Sequence, residues 1–473
     1  MTEALWSRPD LALALGAPPS APLGAAIGGV SIDTRSLAPG DLFFALRSQT
    51  GDGHDHVARA FAGGAGACVV SRERAAETAN HGPVFAVDDT LRAMERLGVA
   101  ARARSAARIV AVTGSVGKTS AKDMLRVALG ASGPTHAAAA SYNNHWGVPL
   151  TLARMPASSA FGVFEIGMNH AGEIAPLAAM VRPHVALVTT IAPVHIAHLG
   201  SIEAIAEAKA EIFSGVEPGG AIVLNRDAPQ FEALQARARA TGRAIATFGA
   251  EAPAEGRLVA YEPRGEGARV RAQIHGRALA FTLGAPGLHM AQNAVGVLLA
   301  VHALGADVAR AAEALAAFSA PKGRGERLVL RAADGPFTLI DESYNANPVS
   351  MRAALALLGA TSPGAGGRRV AVLGDMLELG AGAAQAHAGL AEDLVRQSVD
   401  LIYCAGPLMR GLWESAPKAM RGAWAARSAE LAPAVLDAPR AGDVVMVKGS
   451  NGSAMAPIVA ALRARFSLTA PPA

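Results

Sequence analysis

Arg108-Ile109-Val110-Ala111-Val112-Thr113-Gly114-Ser115-Val116-Gly117-Lys118-Thr119-Ser120 decides how the rest of the chain is read. The first six residues are a short apolar run of strand type. A glycine-rich turn follows, and a helical pattern runs from Lys118 to Leu129. Strand, glycine turn and helix is the context in which a Gly-Lys-Thr sequence carries chemistry. Glycines let backbone N–H groups converge on phosphate oxygens, and the helix N-terminus adds partial positive charge. Lys118 is placed to neutralise terminal phosphates, and the Thr119 hydroxyl to ligate Mg²⁺. The usual spacing begins with a glycine where this chain has Val112, so the loop is the short form G-x-x-G-K-T. By itself it names no reaction.

Outward from this loop, strand and helix patterns alternate. Segments 161–166, 185–190 and 221–225 are strand-like, which predicts a mostly parallel sheet flanked by helices. Regularity falls over 250–285. N-terminal to the loop, residues 25–90 form a small α/β unit. Its strands are expected at 30–32, 42–46, 67–70 and 84–87, with Pro39-Gly40-Asp41 as a turn and a helix near 91–106. Pro321-Lys322-Gly323-Arg324-Gly325 reads as a hinge or linker. Strand candidates at 337–341, 370–373, 401–404 and 444–447 follow it, with Ala-rich helical segments between them. The fold class is α/β with three domains, over 1–106, 107–321 and 322–473. The central one is a P-loop-type parallel sheet and the last is Rossmann-like. The length of 473 residues also suits about three domains.

Composition narrows the function classes. No run of 18 or more apolar residues is free of polar breaks, so no membrane span is expected. The first residues lack a basic stretch followed by an apolar core, and no secretory signal is expected. Cys68 and Cys404 make neither a disulfide framework nor a zinc pattern, which suits a reducing cytoplasm. The net charge of +4 is spread evenly. No basic cluster argues for nucleic acid.

Three further residues carry chemistry. Glu165 ends a strand, and in open parallel sheets ligands sit beyond the C-terminal strand ends. It is placed to hold Mg²⁺ near the phosphates. His195 follows the next strand at the same end, with His184 and His198 as nearby alternatives. Lys209 lies in a helix over 201–213 that Ser201 would cap. Ile202, Ile205, Ala206, Ile212 and Phe213 make one apolar stripe at helical spacing, and Lys209 falls within it. Glu203, Glu207 and Glu211 lie off it. Such a lysine either snorkels its charge to solvent or, held inward, has a depressed pKa. Its neutral amine can add CO₂, and the resulting carbamate is a second metal-binding carboxylate.

Taken in order, the Thr113–Thr119 loop, Glu165, His195, Lys209, Asn293, Arg324 and Asp341 resemble the Mur ligase family. These are ATP-dependent amino acid ligases of peptidoglycan precursor synthesis. The resemblance covers nearly the whole chain. It implies that residues 1–106 bind a UDP-sugar. It implies ATP held by Gly114 to Ser120, with Asn293, Arg324 and Asp341 around the nucleotide, Asp341 on the ribose, and Tyr344 and Asn345 flanking it. It implies two Mg²⁺ ions, the first on Thr119 and Glu165, the second on His195 and carbamylated Lys209. Thr34, Arg35, Asn143 and Asn144 would face the UDP-sugar peptide.

Within the family, three stretches resemble the branch whose members join D-alanyl-D-alanine to UDP-N-acetylmuramoyl-tripeptide. They are Asp341-Glu342-Ser343-Tyr344-Asn345-Ala346-Asn347-Pro348, Leu373-Gly374-Asp375-Met376-Leu377-Glu378-Leu379-Gly380 and Asn143-Asn144-His145-Trp146-Gly147-Val148-Pro149-Leu150. The implied protein is a cytoplasmic monomer that works through an acyl phosphate. Arg47-Ser48 departs from the Lys-Gly pair common in the family. Lys448-Gly449-Ser450 resembles a family loop without an assigned ligand. A phosphotransferase or switch GTPase would explain Lys118 and Thr119 alone. A folylpolyglutamate synthetase would not explain the Tyr344 stretch. A silent binding module would not need every metal-site position filled.

Overall fold

Strand β5 (Arg108–Thr113) is buried at every residue after Arg108. Ile109 and Ala111 pack into one apolar cluster, and Val110 and Val112 into another on the opposite face. A strand covered on both faces has to be uniformly apolar, as this one is. The structure, a computed structural model, describes residues 4–48, 51–194, 196–251 and 253–468. Three sheets organise them.

The first sheet holds β1 (Gly29–Ser31), β2 (Asp41–Phe44), β3 (Ala67–Ser71) and β4 (Val84–Val87) side by side in chain order. All its pairings are parallel, so the Pro39–Asp41 turn feeds a crossover and not a hairpin. The helix Thr90–Ala103 ends this unit, and Asp89 caps it by accepting from the Leu91 and Arg92 amides. At Gly98 the helix meets the next unit closely: a Cβ there would lie 3.1 Å from the Pro149 carbonyl oxygen. Trp6, Leu97, Leu150 and Ala153 share one cluster, so the first core runs on into the second unit.

The second sheet has nine strands. They are β5, β6 (Thr135–Ala137), β7 (Phe161–Glu165), β8 (Val185–Val188), β9 (Ala221–Asn225), β10 (Ala244–Gly249), β11 (Gly256–Arg264), β12 (Gly267–Ile274) and β13 (Arg277–Leu283). Their order is β13-β12-β11-β10-β9-β8-β5-β7-β6. From β11 across to β6 every pair is parallel. The chain runs to one side of β5 through β6 and β7, and to the other through β8 and β9. The loop after β5 therefore opens at the switch point, where such sheets place ligands.

The stretch 250–285, which lacked a clear reading, is an antiparallel meander of β11, β12 and β13. Its period is visible in Ala268, Val270, Ala272 and Ile274, all buried, between exposed Arg269 and Arg271. His275 and Gly276 both have positive φ in the tight turn before β13.

The third sheet contains β14 (Glu326–Ala332), β15 (Gly335–Glu342), β16 (Arg369–Gly374), β17 (Leu401–Ala405), β18 (Arg421–Ala425), β19 (Val444–Lys448) and β20 (Ser467–Leu468), in the order β18-β17-β16-β19-β15-β14-β20. Five strands run parallel, and β14 and β20 join antiparallel. Between the second and third sheets, Gly323 and Gly325 take φ of 74° and 106°. This connecting segment is pinned to the end of β15: the Gly325 amide donates to Asp341 O at 2.8 Å, and the Tyr344 amide donates to Gly323 O at 3.0 Å. No described helix is long and apolar enough to cross a membrane.

Candidate active site

The glycine turn after β5 is built for close approach. Gly114 has φ of 144°, and a Cβ there would collide with Thr189 Oγ1. Gly117 has φ of 87°, and its Cβ would sit 2.6 Å from Asn293 Nδ2. The turn is fastened to the segment after β8. The Ser115 amide donates to Thr190 O at 2.8 Å, Ser115 Oγ to Ala192 O at 3.0 Å, and Thr189 Oγ1 to Val116 O at 2.6 Å. Lys118 curls back so that Nζ donates to Gly114 O at 2.8 Å. Burial lowers the proton affinity of Lys118, Glu165 raises it, and Arg324 from the third sheet's unit lowers it again.

Glu165 closes β7 and is 2% exposed. Thr119 Oγ1 donates to its Oε2 at 2.9 Å, and Ser141 Oγ and Asn143 Nδ2 donate to Oε1 at 2.9 and 2.7 Å. Burial pushes this carboxyl up, but the Lys118 charge and the hydrogen bonds outweigh it and hold the group below the usual carboxylate range. The carboxylate thus stays ionised with two hydroxyl oxygens beside it, a hard-oxygen set that suits Mg²⁺.

From across the hinge, Gly323, Arg324, Glu342, Tyr344, Asn345 and Lys448 face the same cleft of about 480 Å³. The Arg324 guanidinium lies 4.0 Å from the Tyr344 ring centroid. Tyr344 remains 43% exposed, an aromatic face open to the cleft. Lys118 and Arg324 therefore approach one cavity from two units. Two cations that raise each other's energy are best relieved by a polyanion between them.

Lys209 sits at the end of the helix Ile202–Ala210, capped by Ser201, which accepts from the Ala204 amide at 3.1 Å. It is 1% exposed, as its place in the stripe predicts. Burial first, and the Lys118 charge second, lower its proton affinity well below that of an ordinary lysine. No carboxylate among the described residues forms an ion pair with it. Glu207 instead pairs with Arg237, and Glu211 accepts from the Gly172, Ile174 and Ala175 amides. His195 lies outside the described residues. His184 belongs elsewhere: its Nδ1 accepts from the Ile109 amide, near the start of β5 and away from the loop.

The family models for the Mur ligase family catalytic domain, the Mur ligase middle domain, and the Mur ligase glutamate ligase domain match residues 26–122, 112–301 and 323–451. A UDP-N-acetylmuramoyl-tripeptide--D-alanyl-D-alanine ligase of Escherichia coli is 34% identical over 92% of this chain and 94% of its own. The ligase of the same description from Bacillus subtilis is 33% identical over 92% of each. The chain belongs to the Mur ligase family. Among solved structures, a crystal structure of MurF from Acinetobacter baumannii superposes with a TM-score of 0.83 at 28% identity, over 98% of this chain and 99% of that one. A MurF ligase from Thermotoga maritima in complex with ADP shares the fold, with a TM-score of 0.74 at 23% identity over 92% of this chain and 97% of that one.

Three residues that the Mur ligase resemblance assigns to ligands have hydrogen-bond partners of their own. Asp341 lies behind Gly323 and Glu342, which line the cleft. It is 1% exposed and accepts from the Gly323 amide at 3.1 Å, the Ser343 amide at 3.0 Å and Ser343 Oγ at 2.6 Å, so its charge orders the hinge. The Asn143 amide is committed to Glu165, and Asn144 Oδ1 accepts from the Trp146 and Gly147 amides, although both asparagines line the cleft.

Thr34 and Arg35 line a separate depression with Phe43, His56, Arg59 and Tyr142. Arg35 pairs with Asp33 at 2.6 Å and holds that carboxyl down to about 2. Tyr142 touches this depression while Ser141 and Asn143 touch the cleft, so one short segment serves both cavities.

Sequence reasoning missed Ser141 and His289. His289 lines the cleft four positions before Asn293. That spacing on one helix face was the available signal.

Proposed function

We propose that this Mur ligase joins D-alanyl-D-alanine to the free carboxylate of UDP-N-acetylmuramoyl-tripeptide at the expense of ATP. The product is the pentapeptide precursor of peptidoglycan. The reading carries with it a cytoplasmic, monomeric enzyme. The observation that carries it is the meeting in one cleft of the phosphate loop, Glu165 and the Arg324–Tyr344–Asn345 group from across the hinge. The described ligases of matching length support the choice of substrates.

The amides from Ser115 to Ser120, at the start of the helix Lys118–Gly130, receive the phosphates. Lys118 Nζ exchanges Gly114 O for a terminal phosphate oxygen. Arg324 meets the nucleotide from the other side, and the Tyr344 ring takes the base. Asn293, held against Gly117, keeps the loop's curvature. The peptide carboxylate then attacks the γ-phosphorus, the bond to the β-bridging oxygen breaks, and ADP leaves. The incoming amine adds to the acyl carbonyl and loses a proton, and the tetrahedral adduct expels phosphate. Both steps are bimolecular in origin, so holding the partners in line is the chain's main contribution.

Thr119 and Glu165, with Ser141 beside them, would hold the first Mg²⁺, which when bound screens phosphate charge. His195 and Lys209 would hold a second. For Lys209 we keep the carbamate: a buried, neutral amine adds to CO₂, gives up a proton and becomes an anion. The absence of a carboxylate partner among the described residues supports it.

Phosphate release with ATP, UDP-N-acetylmuramoyl-tripeptide and D-alanyl-D-alanine, omitting each in turn, tests the function. Sustained release should need all three. Turnover that ignores the dipeptide would remove the ligase reading.

A further inference from the structure

Lys448 ends β19, and β19 lies between β15 and β16. The loop Lys448-Gly449-Ser450 therefore emerges between the loops that follow those two strands. Each of its residues is bound to a neighbour. Lys448 is 2% exposed, and Nζ donates to Glu342 Oε2 at 3.1 Å and to Asn345 O at 3.0 Å. At Gly449 a Cβ would lie 2.5 Å from Met455 Cγ and 3.1 Å from Gly374 Cα, so only glycine lets the strands' ends close up. Ser450 Oγ donates to Ala346 O at 3.1 Å and accepts from the Leu377 amide at 2.9 Å, while its own amide donates to Asp375 O at 3.0 Å.

Two consecutive carbonyls, Asn345 and Ala346, are thus held by Lys448 and Ser450. They belong to the turn that carries Tyr344 beneath the Arg324 guanidinium. A lysine that serves phosphate must present unpaired charge to the cleft. Lys448 touches the cleft wall, but Glu342 neutralises its charge and two of its three N–H groups are already bound. Buried ion pairs add little net stability, and their best use is to fix a geometry.

We infer that Lys448 is a positioning residue for the nucleotide base: through Glu342 and Asn345 it fixes the turn that presents Tyr344 under Arg324, and it is not a phosphate ligand. This rests on the proposed ATP site. Calorimetry on the full chain would measure adenosine, AMP, ADP and ATP binding to the wild type, Lys448→Met and Ser450→Ala. Lys448→Met should weaken all four by the same factor, about 10-fold or more, because the base platform is common to them. KM for ATP should rise by a similar factor. kcat and the KM values of the other two substrates should stay within about 2-fold. Ser450→Ala should shift all four nucleotides the same way by less.

A loss that grows with the number of phosphates, or no loss, overturns the inference. If thermal melting shows Lys448→Met to be unfolded, Ser450→Ala and Glu342→Gln, which keeps an acceptor for Lys448, carry the same comparison. Wild-type protein that binds no ADP would instead fault the ATP site itself.

Discussion

Gly114→Ala tests the phosphate loop most sharply. The residue has φ of 144°, where an alanine costs about 1–3 kcal/mol. Its Cβ would collide with Thr189 Oγ1 and push that hydroxyl off its 2.6 Å bond to Val116 O, at about 1 kcal/mol. The loop can relieve both by leaving the cradle shape, so the cost falls on the nucleotide that must restore it. The expected sum is about 2–4 kcal/mol, or roughly 30- to 1000-fold in ADP affinity. Isothermal calorimetry with ADP, alongside a thermal melt, measures it. In a Thr189→Ala background the collision with Oγ1 is gone, so Gly114→Ala should cost less, keeping the backbone share and the 3.2 Å approaches to the residue 189 and 190 amide nitrogens. ADP binding by Gly114→Ala within about 3-fold of wild type would refute the reasoning, since the loop would then not be the binding element.

Tyr344→Ala should weaken adenosine and ATP alike, by roughly 5- to 150-fold if the ring stacks on the base, measured by calorimetry. Glu165 is held below the usual carboxylate range, so its contribution to stability is complete above the ordinary carboxylate pKa and is lost as pH falls through its lowered folded value. Glu165→Gln should remove that part of the acid limb in a plot of melting temperature against pH; an unchanged limb contradicts it. Lys209 has the reverse sign. The unfolded chain binds its proton over the window between the lowered folded value and the ordinary lysine pKa, so stability rises with pH there. Lys209→Met should flatten that slope and melt higher than wild type at neutral pH without bicarbonate, yet lose at least about 100-fold in ligation rate. A ¹³C-bicarbonate NMR spectrum of wild type should show a carbamate carbon that this variant lacks.

The strand–turn–helix geometry around Gly114 was legible because strand, glycine and helix each have a local signature, and the glycines proved to be demanded by Thr189 and Asn293. Lys209 was legible because helical periodicity reports facing, and a charge on the apolar face has no local explanation. The meander over 256–283 carried a two-residue period in Ala268, Val270, Ala272 and Ile274 and was still passed over, since arginines interrupt it. Partnerships across the chain were not legible. Nothing near Asp341 announces that its carboxylate is taken by Gly323 and Ser343, and nothing near Asn143 that its amide belongs to Glu165. Those assignments depend on which strand ends the sheet order brings together, and that order is set by packing far from the motif. Lys448 shows the same rule: its partners lie about a hundred positions away and become neighbours only because β19 inserts between β15 and β16.

The most direct measurement of the central claim follows one oxygen atom. UDP-N-acetylmuramoyl-tripeptide labelled with ¹⁸O in its terminal carboxylate, turned over with ATP and D-alanyl-D-alanine, should yield the pentapeptide product. Mass spectrometry should find one label in the inorganic phosphate of each turnover, because the acyl phosphate's bridging oxygen leaves with phosphorus. Pentapeptide formed with unlabelled phosphate, or phosphate formed with no pentapeptide, would contradict an acyl-phosphate ligase.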